Sequence, residues 1–362
     1  MPQENKKKER VKKMIKFGKW VVKFRIPILI LSFLLLIPTG IIYMNTRINY
    51  DILSYLPGDI ETMKGQDILL DEFGTGAFSV AVIDGMQEKE ISQLEDKLKE
   101  IDHVKDVLWY GALADISIPM DMLPDDLKDS LQNADTGSQL MIITFDTSMS
   151  ADETLDAIEE IRGLTNEQCL LSGMSAVVTD IKKICNSEVI MYVVIAAGLS
   201  ALVLALTMDS FLLPFIFLLS IGMAIVYNLG TNFIAGEISF VTQALAAVLQ
   251  LAVTMDYSIF LWHSYLENQE RYPDDRKRAM SHAISQTLTS VVGSSITTIA
   301  GFLAMCFMTF TLGMDLGIVM AKGVIIGVLC CVTILPAMIL IFDKPIEKTK
   351  HKPLIKSMDK VS

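Results

Sequence analysis

One carboxylate, Asp256, stands in the middle of the apolar run LAVTMDYSIFLWHSY (251–265), with no Lys or Arg within ten residues on either side. An ionised Asp at the centre of a membrane-spanning helix costs about 2.5 to 3.5 kcal/mol on insertion scales, so a reason for its presence is required. Two readings supply one. As a packing residue, Asp256 accepts hydrogen bonds from Ser or Thr on a neighbouring helix. As a proton carrier, it uses the desolvation that moves a carboxyl group toward a range where it can load and unload protons. Intramembrane acids are functional sites by default, so proton carriage is the expectation. The next residue, Tyr257, has a hydroxyl that either donates to a facing carboxylate or is satisfied as that of an ordinary packed tyrosine.

The spacing around this pair defines two polar directions on one helix. Gln243, Gln250, Thr254 and Tyr257 recur at steps of 7, 4 and 3 and form a stripe. Asp256 points about 100° away from Tyr257 and shares its side with Ala252 and His263. Only a helix packed within a bundle can use both directions. A second run supplies a matching surface: Thr287, Ser290, Ser294, Thr297 and Gly301 fall at steps of 3, 4, 3 and 4, small and hydroxyl-bearing, with Thr298 beside them. Further on, Gly323 and Gly327 make a GxxxG pair, and Lys322 either snorkels outward or serves as a buried charge partner. Asp256 and Tyr257 are thus the expected proton relay. Gln250, Thr254, Ser294, Thr297, Thr298 and Lys322 are expected as supporting polar groups. His263 reads as a surface histidine, although a proton exit there would be chemically sensible.

Enzymatic readings find little support. An intramembrane aspartyl protease needs two carboxylates at one depth, whereas Asp209 and Asp315 lie at the ends of apolar runs. No phosphate loop, HExxH or nucleophile elbow occurs, so ATP-driven and hydrolytic mechanisms are not expected. No cofactor or metal is expected either; the energy source would be the proton gradient. No nucleic-acid partner is expected.

The elements that must position these residues are helices in a bilayer. The chain is 51% hydrophobic and 20% charged, which does not fit an ordinary soluble domain. Six stretches are apolar over roughly the 20 residues that a bilayer core requires: 26–44, 189–208, 211–229, 238–262, 284–310 and 316–342. The first follows a basic start but lacks a small-x-small cleavage pattern, so it reads as a retained helix. Charge is sharply partitioned. Residues 1–25 hold ten Lys/Arg and two Glu, whereas 46–188 hold ten Lys/Arg against 29 Asp/Glu. Arg271, Arg276, Lys277 and Arg278 follow the fourth span, and six lysines follow the sixth. The positive-inside rule then places both termini in the cytoplasm and the acidic segment outside.

That segment is too long for a loop. AFSVAVID (77–84), a helical pattern over 87–101 and VKDVLWYG (104–111) read as strand, helix, strand, and the order recurs in 138–146, 150–164 and 167–173. Ser150 is the expected N-cap of the second helix, with Glu153 three residues on. Residues 123–138 join the two units through an expected short helix and turn. Two βαβ units imply an α+β, ferredoxin-like domain. The expected organisation is a basic cytoplasmic N-terminus (1–25), a first transmembrane helix (26–44), an extracytoplasmic α+β domain (45–188), transmembrane helices two to six (189–342) and a basic cytoplasmic tail or linker (343–362). Of the five cysteines, only Cys169 and Cys185 fall outside the spans, where a disulfide is chemically allowed.

This order of elements, with the Asp-Tyr pair in the fourth span, resembles one repeat of the resistance-nodulation-division superfamily, in particular its MMPL-type branch. The residues that carry the resemblance are TMDYSIFL (254–261), FGTGAFSVAV (73–82) and LLSGMSAVVTDI (170–181). The resemblance implies export of hydrophobic or amphiphilic molecules, lipids or drugs, across a bacterial cytoplasmic membrane, driven by protons passing Asp256 and Tyr257. It also implies a second six-helix repeat facing the pair, supplied by a longer chain or by homodimerisation, because full-length members have twelve helices and this chain has six spans. Two alternatives remain: a protein-export accessory of the same superfamily, and a membrane sensor or scaffold with a ligand-binding external domain.

Overall fold

A computed structural model describes residues 2–109, 111, 133 and 136–351. The joining segment 123–138 thus falls largely outside the described residues. The chain divides into two compact units, a helical one formed by Met1–Ile48 with Glu188–Ser362, and an α+β one formed by Asn49–Ser187.

The helical unit contains α1 (Pro2–Lys23), α2 (Arg25–Met44), the later part of the unbroken helix α6 (Met174–Thr207), α7 (Leu213–Gly230), α8 (Phe240–Arg271), α9 (Arg276–Ala304), α10 (Leu312–Ile341) and the short α11 (Asp343–Lys348). Six of the described helices, α2 and α6 to α10, are long and apolar enough to cross a membrane, so this is a multi-pass membrane protein. Burial ranks them. About two thirds of the apolar window of α10 is buried (67%), whereas in α9 the share is 11%, so α10 is central and much of α9 is uncovered. Small residues permit the central packing. At Gly323 an added Cβ would lie 2.6 Å from Asn228 Nδ2, and at Gly327 it would lie 2.7 Å from Thr254 Oγ1. The GxxxG pair therefore seats α10 against α7 and α8.

Helix ends follow from local chemistry. Ser239 caps α8, its Oγ accepting from the Val241 amide at 3.2 Å. Past Arg271 the chain turns through Tyr272, Pro273 and Asp274, and Asp275 caps α9 by accepting from the Arg278 amide at 2.9 Å. Arg276 then pairs with Asp343 and Glu347, tying the start of α9 to α11.

In the α+β unit, α3 (Glu61–Asp71) precedes β1 (Ala77–Ile83), α4 (Glu88–Lys99), β2 (Val104–Leu108), β3 (Gln139–Phe145), α5 (Asp152–Leu164) and β4 (Cys169–Ser172). The sheet order is β2-β3-β1-β4, with β1 antiparallel to both β3 and β4 and with Ala81 opposite Met141 and Leu171. Two split βαβ units interleaved in this way make the ferredoxin-like arrangement. Alternation selects the inward residues: Ala77, Ala81, Ile83, Met141, Ile143 and Phe145 pack under Ile91, Leu94, Leu98, Ile158 and Ile161 of the two helices. Trp109, 1% exposed, is anchored by donating its indole N–H to Glu95 of α4, which also pairs with Lys99 at 2.6 Å.

One expectation needs correction here. Ser150 does not cap α5; Ala151 holds the cap position without a side-chain bond. The turn is closed instead by Thr154, whose hydroxyl reaches the Ser148 carbonyl at 2.8 Å and Thr147 Oγ1 at 2.6 Å. Cys169 and Cys185 are not bridged: Cys169 is buried in β4 opposite Ile83, and Cys185 lies on α6.

Candidate functional site

The polar stripe of α8 faces into the bundle, and its members between them meet four helices. Gln243 Nε2 donates to the Tyr43 hydroxyl of α2 at 2.7 Å. Gln250, buried, accepts from Asn228 Nδ2 of α7 at 3.0 Å and donates to the Gly323 carbonyl of α10 at 3.3 Å. Thr254 is buried against Gly327, and its Oγ1 has no hydrogen-bond partner among the described residues. The buried hydroxyl of Tyr257 accepts from Ser295 Oγ of α9 at 3.1 Å. The stripe therefore ties α8 to four neighbours, α2, α7, α10 and α9, at successive depths.

Asp256 points elsewhere. Its side chain is exposed on the outside of the helical unit and has no hydrogen-bond or ion-pair partner among the described residues. It lines an open groove of about 400 Å³ between α8 and α9, with Val253, Tyr257 and Phe260 on one side and Ser290, Ser294 and Thr298 on the other. Ser294 and Thr298 donate within their own helix, to the carbonyls of Val291 at 3.0 Å and Ser294 at 3.1 Å, which leaves oxygen lone pairs toward the groove. Thr297 likewise bonds the Ser294 carbonyl, at 2.7 Å, and does not line the groove. His263 is exposed.

The expected small-residue seam on α9 needs revision. Of Thr287, Ser290, Ser294, Thr297 and Gly301, only Thr287 is buried, and nothing among the described residues comes within 4 Å of a Cβ placed on Gly301. The packed side of α9 is Thr287, Val291 and Ser295, spaced four apart, and Ser295 on it is the partner of Tyr257 that the sequence reading missed. The stepped pattern 287, 290, 294 and 297 drew attention to the hydroxyl-rich side, which this chain leaves uncovered.

The structure thus separates the residues singled out from the sequence. Asp256, Tyr257, Ser294 and Thr298 meet at the groove. Gln250 and Thr254 belong to the interior cluster with Asn228, Gly323 and Gly327. Lys322 lies apart, half-buried on α10, donating to Asn232 just beyond α7. It forms no ion pair among the described residues. Nearer the start of α10, Asp315 accepts from the Ser239 amide at 3.0 Å and from Thr242 Oγ1 at 2.6 Å, joining the N-termini of α8 and α10. Asn228, Asn232 and the bonding of Asp315 were not anticipated, since a single polar residue per span gives no periodic signal.

The α+β unit has a cavity of its own. It measures about 520 Å³ and is lined by Ile68 and Leu69 of α3, Ala77 and Phe78 of β1, Met149 and Met174. No residue of α3 is buried, so Ile68 and Leu69 present apolar surface at this cavity.

A multi-pass helical unit with a carboxylate on an uncovered face, and a ferredoxin-like unit inserted after its first span, define the class of protein. The MMPL family model matches residues 74–352, most of the sequence, and the chain belongs to that family. A putative membrane protein of Streptomyces coelicolor is 25% identical over 241 residues, covering 64% of this chain and 28% of that protein. A second one from the same organism, ActII-3, is 34% identical over 127 residues, covering 35% of this chain and 17% of it. The probable transport protein MmpL12 of Mycobacterium tuberculosis is 24% identical over 286 residues, covering 75% of this chain and 23% of that protein. The chain thus spans about a quarter or less of the length of these relatives. Among solved structures, SecDF from Thermus thermophilus, a translocon-associated membrane protein, aligns with a TM-score of 0.48 at 14% identity, over 91% of this chain and 38% of that one.

Proposed function

We propose that the chain forms one six-helix half of a proton-driven transporter that exports hydrophobic or amphiphilic molecules across the bacterial cytoplasmic membrane. The observation that carries this reading is Asp256: an ionisable side chain in an apolar span, without a partner among the described residues, facing a groove with Ser290, Ser294 and Thr298. A charge left facing lipid would be costly, so the groove needs a covering body. A second six-helix repeat, from the same polypeptide or from a second copy, would enclose Asp256 and leave it a narrow polar path. There the carboxylate takes up and releases protons, with the Tyr257 hydroxyl, held by Ser295, as its companion. The Gln250–Asn228 pair holds α8, which lines this path, against α7.

In this reading both termini and the α8–α9 turn lie in the cytoplasm and the acidic α+β unit outside, as the basic flanks favour by the positive-inside rule. In that unit the cavity beside α3 suits an apolar chain, which supports a hydrophobic or amphiphilic cargo. MmpL12, described as a probable transport protein, is a relative consistent with this activity.

The test is pH-gradient-driven efflux in proteoliposomes by the transporter assembled from this chain and its second repeat. Asp256→Asn is expected to abolish gradient-driven efflux, with a loss on the order of 10²-fold or more as befits a proton-transfer group. Efflux retained by Asp256→Asn would overturn the reading. The same cavity would also serve a ligand-binding sensor. In that case cargo binding, and not efflux, would be the activity, and Asp256→Asn would leave it unchanged.

A further inference from the structure

At the opposite chemical extreme from the carboxylate groove lies a cleft of about 830 Å³ where α1, the start of α2 and the start of α9 meet. Five cations line it: Lys19 and Lys23 of α1, Arg25 of α2, and Lys277 and Arg278 of α9. None of the five has a carboxylate partner among the described residues. The one acidic residue in the lining, Asp275, already accepts from the Arg278 amide as the cap of α9. The cleft is rigidly framed, because α1 lies directly on α9: a Cβ on Gly18 would sit 2.4 Å from the Ser281 carbonyl oxygen, and Val21 and Val22 are buried.

Ser281 and His282 of α9 complete its polar side, and the wall formed by α2 beyond Arg25 is apolar. Ile26 and Pro27 line the cleft, and from Ile26 onward α2 presents exposed Ile30, Leu31 and Leu34. On the neighbouring side of α1, Phe17, Trp20 and Phe24 form a ladder with ring centroids 6.1 and 5.6 Å apart, and Trp20 is 50% exposed. Exposed Trp and Phe beside lysines at the end of a spanning helix are the composition of a bilayer interface. Cations converging on one cleft favour an anion there. Apolar surface continuing from the cleft along a spanning helix requires that the anion carry acyl chains.

We infer that this cleft is a binding site for the phosphate headgroup of an anionic phospholipid, whose acyl chains run along the exposed face of α2. Basic pockets between helix ends at an anionic membrane surface bind such headgroups. The site is independent of the cargo proposed above and of Asp256. It would fix α1 to the membrane surface and orient the start of α2.

Native mass spectrometry of the delipidated full-length chain in neutral detergent tests the inference, with phosphatidylglycerol and phosphatidylcholine of identical acyl chains as probes. One phosphatidylglycerol is expected to remain bound where phosphatidylcholine does not. The triple variant Lys23→Gln, Arg25→Gln, Arg278→Gln is expected to weaken it by about tenfold or more, and Lys23→Gln alone, at an exposed side chain, by about fivefold. The variant Lys12→Gln, Lys13→Gln, Lys16→Gln removes the same charge outside the cleft and is expected to change binding by less than about twofold. Equal loss in both triple variants would reveal diffuse electrostatic attraction and overturn the site. Unchanged binding in Lys23→Gln and the cleft triple variant would also overturn it. Displacement of the lipid by millimolar inorganic phosphate would identify a soluble-anion site and overturn the lipid assignment.

Discussion

At the residue scale, adjacent side chains on α8 have opposite structural roles. Tyr257 is buried and accepts from Ser295 at 3.1 Å, so Tyr257→Phe removes one interior hydrogen bond and should destabilise the helical unit by about 1 kcal/mol. Asp256 contacts no hydrogen-bonding group in the described chain, so Asp256→Asn should move stability by less than about 0.5 kcal/mol. Thermal unfolding of the two purified variants, set beside their transport, checks the pair. The expected pattern is a lower melting temperature for Tyr257→Phe and a native one for the transport-deficient Asp256→Asn. A large loss of stability in Asp256→Asn would mean that the carboxylate is a packing residue. Cys169 permits a second test. It is buried in β4, and burial pushes its thiol pKa up, so less thiolate is present at pH 7 to 8. Maleimide should therefore label Cys169 slowly in the folded chain and rapidly after unfolding, with the folded-state rate rising as pH climbs toward the raised pKa.

At the scale of elements, α10 depends on two missing side chains. Gly323 and Gly327 let α7 and α8 approach, and a methyl at Gly327 would meet Thr254 Oγ1 at 2.7 Å. Gly327→Ala should therefore cost about 1 to 3 kcal/mol through overpacking, because the obstructing atom belongs to a short, buried side chain. Gly301→Ala, with nothing among the described residues within 4 Å of the added methyl, should leave the stability of the isolated helical unit unchanged or slightly raised. Melting curves of the two variants separate the covered and uncovered sides of the α8–α10 region. If a second repeat packs on α9 as proposed, Gly301→Ala should weaken that association while sparing the isolated chain.

For the whole molecule, the uncovered α8–α9 face predicts incompleteness. Two adjacent spans that expose Asp256 of α8 and Ser290 and Ser294 of α9 along one groove are not suited to face acyl chains there. The mass of the membrane-extracted complex should exceed that of a single 40.2 kDa chain whenever the partner repeat is a second copy. Cysteines substituted at Ser290 and Gly301 should then crosslink across the copies. A single-chain mass, with lipid reagents labelling those two positions freely, would count against pairing of two copies and direct the search to a second repeat within a longer polypeptide.

The spans, the ferredoxin-like order of strands and helices, and the two polar directions on α8 were all legible in the residue pattern. Each is set by periodicity along one chain segment: 3.6 residues per turn, two per strand, and roughly 20 apolar residues per bilayer. The angle between Asp256 and Tyr257 was likewise legible, being fixed by helix geometry. Which side has a neighbour is not a property of one helix. Only the tertiary structure decided that Tyr257 faces inward to Ser295 while Asp256 faces outward, and that α9 packs through Thr287, Val291 and Ser295 and not through its hydroxyl-rich stripe. Asn228 meeting Gln250, Asp315 meeting Thr242, and five cations from three helices converging on one cleft were equally invisible in advance. Those pairings depend on rotations and offsets between helices, which side-chain packing sets across the bundle and no local pattern records.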